Sequence, residues 1–273
     1  MIIGTGCEVV IPGLVELVKD EDEEIKVSSI EALRRIGAAE PEVVKALIEA
    51  LEDPLESVRI RSAKALVELD ASDRKYLQEM IKASEDQDTY VRVSAYMLLG
   101  RLASEPEVIP LLMKALKEEN IIEKWYVVDA LIEAGEFAVP ALTEALKDPD
   151  KETRLRAAHA LEGIGSQARE ATPVLIKALE DPDLLFRICV SDTLVKIGTY
   201  AAPALIENLK TQDEKLKEYI VGILGRMGTK VVPILIRAIE VGEENQNEKI
   251  AKALYEIGPD VILEILRMRT HNL

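Results

Sequence analysis

One motif returns eight times along this chain, counted back from a recurring glycine. It runs as a basic residue, two others, a small residue, an Ala-Leu-like pair and a closing Ile-Gly. The motif reads KVSSIEALRRIG at 26–37, RLRAAHALEGIG at 154–165 and RICVSDTLVKIG at 187–198. Its closing position is held by Gly37, Asp70, Ala103, Gly135, Gly165, Gly198, Gly228 and Gly258, spaced 30 to 33 residues apart. A period in that range marks stacked supersecondary units, each too small to bury its own apolar face. Such a chain grows in one dimension without a central core, so the 273 residues are read as one array, 1–273. Its units fall at approximately 5–37, 38–70, 71–103, 104–135, 136–165, 166–198, 199–228 and 229–258, with a terminal half-repeat at 259–273.

Each unit is predicted to be a pair of helices. In the second, the basic residue, the small residue and the Ala-Leu and Ile positions recur at offsets of three and four, which is one helical face. That helix opens at an acidic turn, Asp53-Pro54, Asp148-Pro149-Asp150 or Asp181-Pro182-Asp183. Aspartate suits an N-cap, and proline suits a first turn, where its missing N–H costs nothing. The closing glycine suits the left-handed residue that ends a helix. The first helix carries a Pro-x-Leu signature, as in PGLVEL at 12–17, PALTEAL at 140–146, PVLIKAL at 173–179 and PALIENL at 203–209. No sustained period-two alternation occurs, so no strand is expected.

The Asp-Pro-Asp turn, the basic residue after it and the Ala-Leu-x-x-Ile-Gly ending resemble HEAT-like repeats, the type shared with phycobilin lyase subunits. The resemblance spans about residues 1–270 and is specific for the repeat class, not for a function. It implies an all-α fold, an α-solenoid of about eight stacked two-helix repeats, with second helices on the concave side and first helices on the convex side. The basic position itself holds Lys26, Arg59, Arg92, Lys124, Arg154, Arg187 and Lys217. A ladder of cations could hold an acidic tail. The turn acids, among them Asp53, Asp148, Asp150, Asp181, Asp183 and Asp213, are nearer partners, so the ladder is read as structural.

Composition narrows the function. Hydrophobic residues make up 48% of the chain and aromatics 4%, so Leu, Ala, Ile and Val do the packing. Fifty acidic against 34 basic residues give a net charge of −16. That sign repels phosphate backbones and anionic membranes, which argues against a nucleic-acid or membrane partner. It serves solubility first, and a basic protein is the partner it would attract. No stretch approaches 18 apolar residues and no signal peptide is apparent. Cys7 and Cys189 lie in distant units and cannot pair in a stack, so two free thiols favour a reducing, cytoplasmic setting.

Catalytic signals are absent from the sequence. His159 and His271 have no second ligand at metal spacing, and the His-Glu pairs of HEAT-like iron-dependent deoxyhypusine hydroxylases do not occur. Gly4-Thr5-Gly6 has no strand before it, and no nucleophile elbow or His-Glu-x-x-His is present. No metal, no cofactor and no enzyme activity is expected. Cys189 reads as a small apolar filler rather than a reactive thiol.

The informative positions are those the repeat leaves free. Offsets −13, −9, −6 and −2 from the closing position share one face of the second helix, away from −8, −5, −4 and −1. The end units are polar there, with Glu24, Ser28, Glu31 and Arg35 in the first and Asn245, Lys249, Lys252 and Glu256 in the last. In units three to seven the same offsets carry Tyr90, Met97, Tyr126, Asp129, His159 and Tyr219, with Ile122, Leu185 and Cys189. These six lead residues are predicted to form one concave strip that binds a protein or peptide. Trp125 lies at offset −10, in a mostly apolar column with Val27, Ile60, Val93, Leu155 and Ile188, and is read as packing. The resemblance leaves a second function open, a phycobilin-lyase-like subunit handling a tetrapyrrole and its acceptor protein. The terminal helices, with Val9, Val10 and Leu17 at one end and residues 261–268 at the other, are apolar where a cap would be polar. Self-association through those ends is a further expectation.

Overall fold

A computed structural model describes residues 9–118, 120–242, 244–259 and 261. Of the expected half-repeat at 259–273 only 259 and 261 are among them, and Cys7, His271 and Gly4-Thr5-Gly6 lie outside. The chain divides into two compact units, Met1–Ala134 and Gly135–Leu273. The described residues form sixteen α-helices and no strand. No single helix among them is long and apolar enough to cross a membrane.

In the first unit the first helices are α1 (Ile11–Leu17), α3 (Pro41–Glu49), α5 (Leu77–Ala83) and α7 (Val108–Ala115). The second helices are α2 (Glu23–Ile36), α4 (Glu56–Glu68), α6 (Thr89–Gly100) and α8 (Ile121–Glu133), each packed on the next. In the second unit the first helices are α9 (Val139–Ala145), α11 (Thr172–Ala178), α13 (Ala202–Asn208) and α15 (Val232–Val241). Its second helices, again side by side in order, are α10 (Lys151–Ile164), α12 (Leu184–Ile197), α14 (Glu214–Arg226) and α16 (Glu244–Ile257).

Two apolar columns explain why neighbours must stack. Four residues before the closing position stand Leu33, Leu66, Leu99, Leu131, Leu161, Leu194 and Leu224, all fully buried. The matching column on the first helices is Leu47, Met80, Leu112, Leu142, Leu175, Leu205 and Leu235, equally buried. Each such side chain adds about 1.5–3 kcal/mol once its neighbours close over it. Aromatic cores are rare: Phe186 and Tyr96 are buried, and the Tyr96 hydroxyl donates to the Ser84 carbonyl at 3.3 Å. Burial pushes that phenol up to about 12.

Local chemistry sets the helix ends. Proline stands in the first two positions of α1, α3, α9, α11, α13 and α15. In the acidic turns its place differs from the expected one. Asp150 and Asp183 are the N-caps of α10 and α12, so Pro149 and Pro182 precede the cap instead of entering the helix. Asp22, Asp88 and Asp213 cap α2, α6 and α14 in the same way. The closing residue takes a positive φ in most repeats, including 74° at Gly37 and 55° at Asp70, where no other non-glycine among the described residues does so. Ala103 has no such φ, and α6 ends instead at Gly100, which lies against α8. At the N-terminal end Ile11 and Val18 are buried while Val9, Val10 and Leu17 are exposed.

Two glycines in the first unit separate backbone strain from packing. A Cβ on Gly37 would meet nothing within 4 Å, so Gly37→Ala pays only for its left-handed backbone, about 1 kcal/mol. A Cβ on Gly100 would stand 2.6 Å from the Ala130 carbonyl oxygen and 2.9 Å from its Cα. Gly100→Ala must therefore push α6 off α8 and should cost about 2–3 kcal/mol. Chemical denaturation of the two variants checks the order, which reverses if the α6–α8 approach is looser than this.

Candidate partner-binding face

The second helices are held in register by the turn that precedes each. Its first aspartate accepts the backbone N–H two residues on: Asp22 to Asp20 at 2.8 Å, Leu55 to Asp53 at 2.9 Å, Asp88 to Asp86 at 2.8 Å and Asp183 to Asp181 at 2.8 Å. Three of these carboxylates, those of Asp53, Asp86 and Asp181, also face the basic residue of the preceding repeat. Lys26 donates to Asp53 at 2.6 Å, and Arg59 grips Asp86 with Nε at 2.8 Å and Nη2 at 3.2 Å. Arg154 lies 3.8 Å from Asp181. Arg92 uses Glu123 instead, on the first turn of α8, with Nε at 3.1 Å and Nη2 on the other oxygen. Each arginine turns its Nη1 back to two carbonyls of its own turn, as Arg59 does to Asp53 and Pro54 and Arg187 to Asp181 and Pro182. Lys217 is buried and pairs within its own helix, with Glu214 at 2.7 Å. Lys124 is half-buried on α8.

This clamp leaves one face of each second helix to solvent. In the first unit α6 carries Tyr90, 68% exposed, with Met97 half-buried two turns on. The adjacent α8 carries Tyr126, 38% exposed, and an exposed Asp129 with no ion-pair partner among the described residues. In the second unit His159 is exposed on α10, its Nδ1 3.6 Å from Glu162. Tyr219 is half-buried on α14, with the Arg187 guanidinium 5.6 Å from its ring centre and the Lys215 ammonium 6.0 Å away. The helix between them, α12, presents Leu185 and Cys189 at the same offsets. Ile122 and Asn245 are outside the side chains described.

The polar end faces are crossed by ion pairs between neighbouring helices. Arg34 of α2 bonds Glu68 of α4, and Lys249 of α16 lies 2.9 Å from Glu218 and 3.0 Å from Glu214 of α14. Glu31, held by Arg34 and Arg35, is lowered to about 2. The charges of Glu31, Arg34, Arg35, Lys249 and Lys252 are thus paired within the chain.

One reading of the sequence is overturned. Trp125 is 60% exposed and does not pack in the core, and Ile188 of the same column is also exposed. Leu184, one turn before Ile188, joins them. The signal was present: offset −10 holds Glu218 and Glu248 in the last two repeats, which no buried column would tolerate. The exposed face is therefore wider than four offsets. Cys189 is half-buried, and burial first, then Asp192, raises its thiol above the ordinary value, so it is no thiolate at neutral pH. Among the described residues no group of His, Cys, Asp and Glu could hold a metal ion.

Residues 11–83 and 139–216, together more than half of the chain, match the family model for HEAT repeats. No curated protein matches the chain. Among solved structures, an engineered protein is 19% identical over 91% of this chain and 78% of its own length, with a TM-score of 0.47. The complex of CpcE and CpcF of phycocyanin lyase from Nostoc sp. PCC7120 is 22% identical over 93% of this chain and 97% of that one, with a TM-score of 0.46.

The clamp has measurable consequences. Side chains of Arg59 and Asp86 are only 16% and 14% exposed, so Arg59→Met leaves a shielded carboxylate unpaired and should cost about 2 kcal/mol. Lys19→Ala, which removes the open Lys19–Glu49 pair, should leave the melting temperature unchanged. Thermal unfolding of both variants decides whether the buried pair matters more. Acid should act on the caps. Asp183 is lowered from its ordinary 3.8 by Lys151 and the Phe186 amide, and Asp150 by Thr153. Their contribution is whole above about pH 4 and is lost as pH falls through the folded values. Melting temperature should therefore fall between about pH 4 and pH 2, and a flat profile there would remove the caps from the account.

Proposed function

Because this chain belongs to the HEAT-repeat family, we propose that it works by presenting the exposed face of its second helices, the concave side of such an array, to a protein or peptide. The observation that supports this most is the exposed Tyr90, Trp125 and Tyr126 on the packed pair α6 and α8. Large aromatic rings left in water beside an uncommitted carboxylate are what interface anchors look like before a partner covers them. The net charge of −16, with Asp129 among the rings, favours a basic partner. The role proposed is binding.

Trp125 is the only tryptophan, which makes the face its own reporter. Free protein should emit like exposed indole, and partner binding should shift the emission to the blue. In a pull-down from the source organism Tyr126→Ala should weaken capture about 30-fold, the loss typical of an anchor worth ~2 kcal/mol. The same change should move stability by no more than about 0.5 kcal/mol. Lys252→Ala, on the ion-paired end face, should leave capture intact. Unfolding of the first unit by Tyr126→Ala, or equal capture by all three proteins, would overturn the reading.

A further inference from the structure

The acid ladder is broken before α14 and before α16; at the second break, where Val241 holds the position, Lys217 pairs with Glu214 of its own helix, whereas at the first Arg187 has no such substitute among the described residues. The position that holds Asp53, Asp86 and Asp181 is occupied by Thr211 before α14. Thr211 keeps half of the aspartate's work: its Oγ1 accepts the Asp213 N–H at 3.3 Å, as Asp181 accepts from Asp183. It brings no negative charge for the basic residue of the preceding repeat, Arg187. In Arg59 and Arg92 the Nε and Nη2 edge holds both oxygens of one carboxylate. In Arg187 the Nη1 side is bonded to its own turn, at 2.7 and 2.9 Å, but no carboxylate of the described residues meets the guanidinium. Its Nε is shielded from solvent and has no hydrogen-bond partner.

A second observation falls at the same place. Among second helices packed in sequence within a unit, α12 and α14 make the sparsest contact. The Tyr219 ring beside the guanidinium has the Lys215 ammonium 6.0 Å from its centre as well, so two cations flank it. A shielded arginine N–H without an acceptor is costly, and the acceptor that fits its planar fork is a carboxylate.

We propose that Arg187 is a seat for a carboxylate supplied from outside the chain, the side chain of Asp or Glu or the terminal carboxylate of a bound peptide. The incoming group takes the place that Asp86 occupies against Arg59: its two oxygens accept from Nε and Nη2, while the Nη1 bonds to Asp181 and Pro182 stay. This seat is separate from the aromatic face and stands whether or not that face binds a partner.

The test is nuclear magnetic resonance of arginine Nε–H groups in the full chain, with sodium acetate as probe and sodium chloride at the same ionic strength as control. Arg187→Lys identifies the signal by its loss. Acetate, and not chloride, should move the Arg187 signal saturably and leave those of Arg59 and Arg92, which already hold carboxylates, in place. Thr211→Asp should fill the seat from within. Its Arg187 signal should be shifted without acetate, respond no further, and accompany a melting temperature higher by about 2–4 °C. N-acetylglycine and Nα-acetyl-aspartic acid α-amide then separate a terminal from a side-chain carboxylate, whichever acts at lower concentration. No saturable response of the Arg187 signal in the unaltered protein overturns the proposal, whatever Thr211→Asp does. An acetate response that survives in folded Thr211→Asp, or one that neither acetylated compound reproduces, overturns it as well.

Discussion

At the turn before a second helix, one aspartate joins two levels of structure. An oxygen of Asp86 fixes its own turn through the Asp88 amide, and its carboxylate receives the Arg59 guanidinium from the repeat before. That arginine in turn holds the carbonyls of Asp53 and Pro54. A turn is thus correctly formed only when its neighbour is stacked on it, and the neighbour's cation is satisfied only by a formed turn. The buried leucine columns supply most of the free energy of stacking, but they are non-directional. The charged clamp is directional, and where Lys26, Arg59, Arg92 and Arg154 meet a carboxylate of the next repeat it fixes how one second helix is turned against the next.

That division explains what could be read from residues alone. Spacing of the closing glycines gave the repeat and its two helices, because a positive φ and a heptad-like leucine face each leave a sharp imprint on residue type. Leu33, Leu66 and their successors are identifiable by offset alone, and so is the partnership of Lys26 and Arg59 with turn acids. Fine placement was harder. Pro149 and Pro182 fit either side of an N-cap, and only the bonds made by Asp150 and Asp183 distinguish them. Trp125 looked like core because its column is apolar in most repeats. Its exposure follows from helix rotation, which averages over repeats hide and which Glu218 and Glu248 at the same offset report.

The face that results is uneven for a physical reason. Where neighbouring second helices carry opposite charges, as in Arg34 with Glu68 or Lys249 with Glu218, the surface saturates itself. Around α6 and α8 the rings of Tyr90, Trp125 and Tyr126 stay exposed beside such pairs. A repeat fold conserves its buried positions by geometry and leaves these open to vary, so architecture is written in every unit and partner choice in only a few. The residues name a chemistry, aromatic rings beside a carboxylate, and not a molecule.

The double use of the turn acid is tested most directly by hydrogen exchange on Asp86→Asn and Asp86→Ala, read amide by amide through α4 and α6. Asparagine can still accept the Asp88 amide but carries no charge for Arg59, whereas alanine does neither. If one carboxylate links turn to stack, Asp86→Asn keeps the Asp88 amide protected while amides of α4 and α6 exchange at least about tenfold faster, and Asp86→Ala loses protection at both. Unchanged exchange of α4 and α6 in both variants would show that the leucine columns alone set the stack, and would contradict the account.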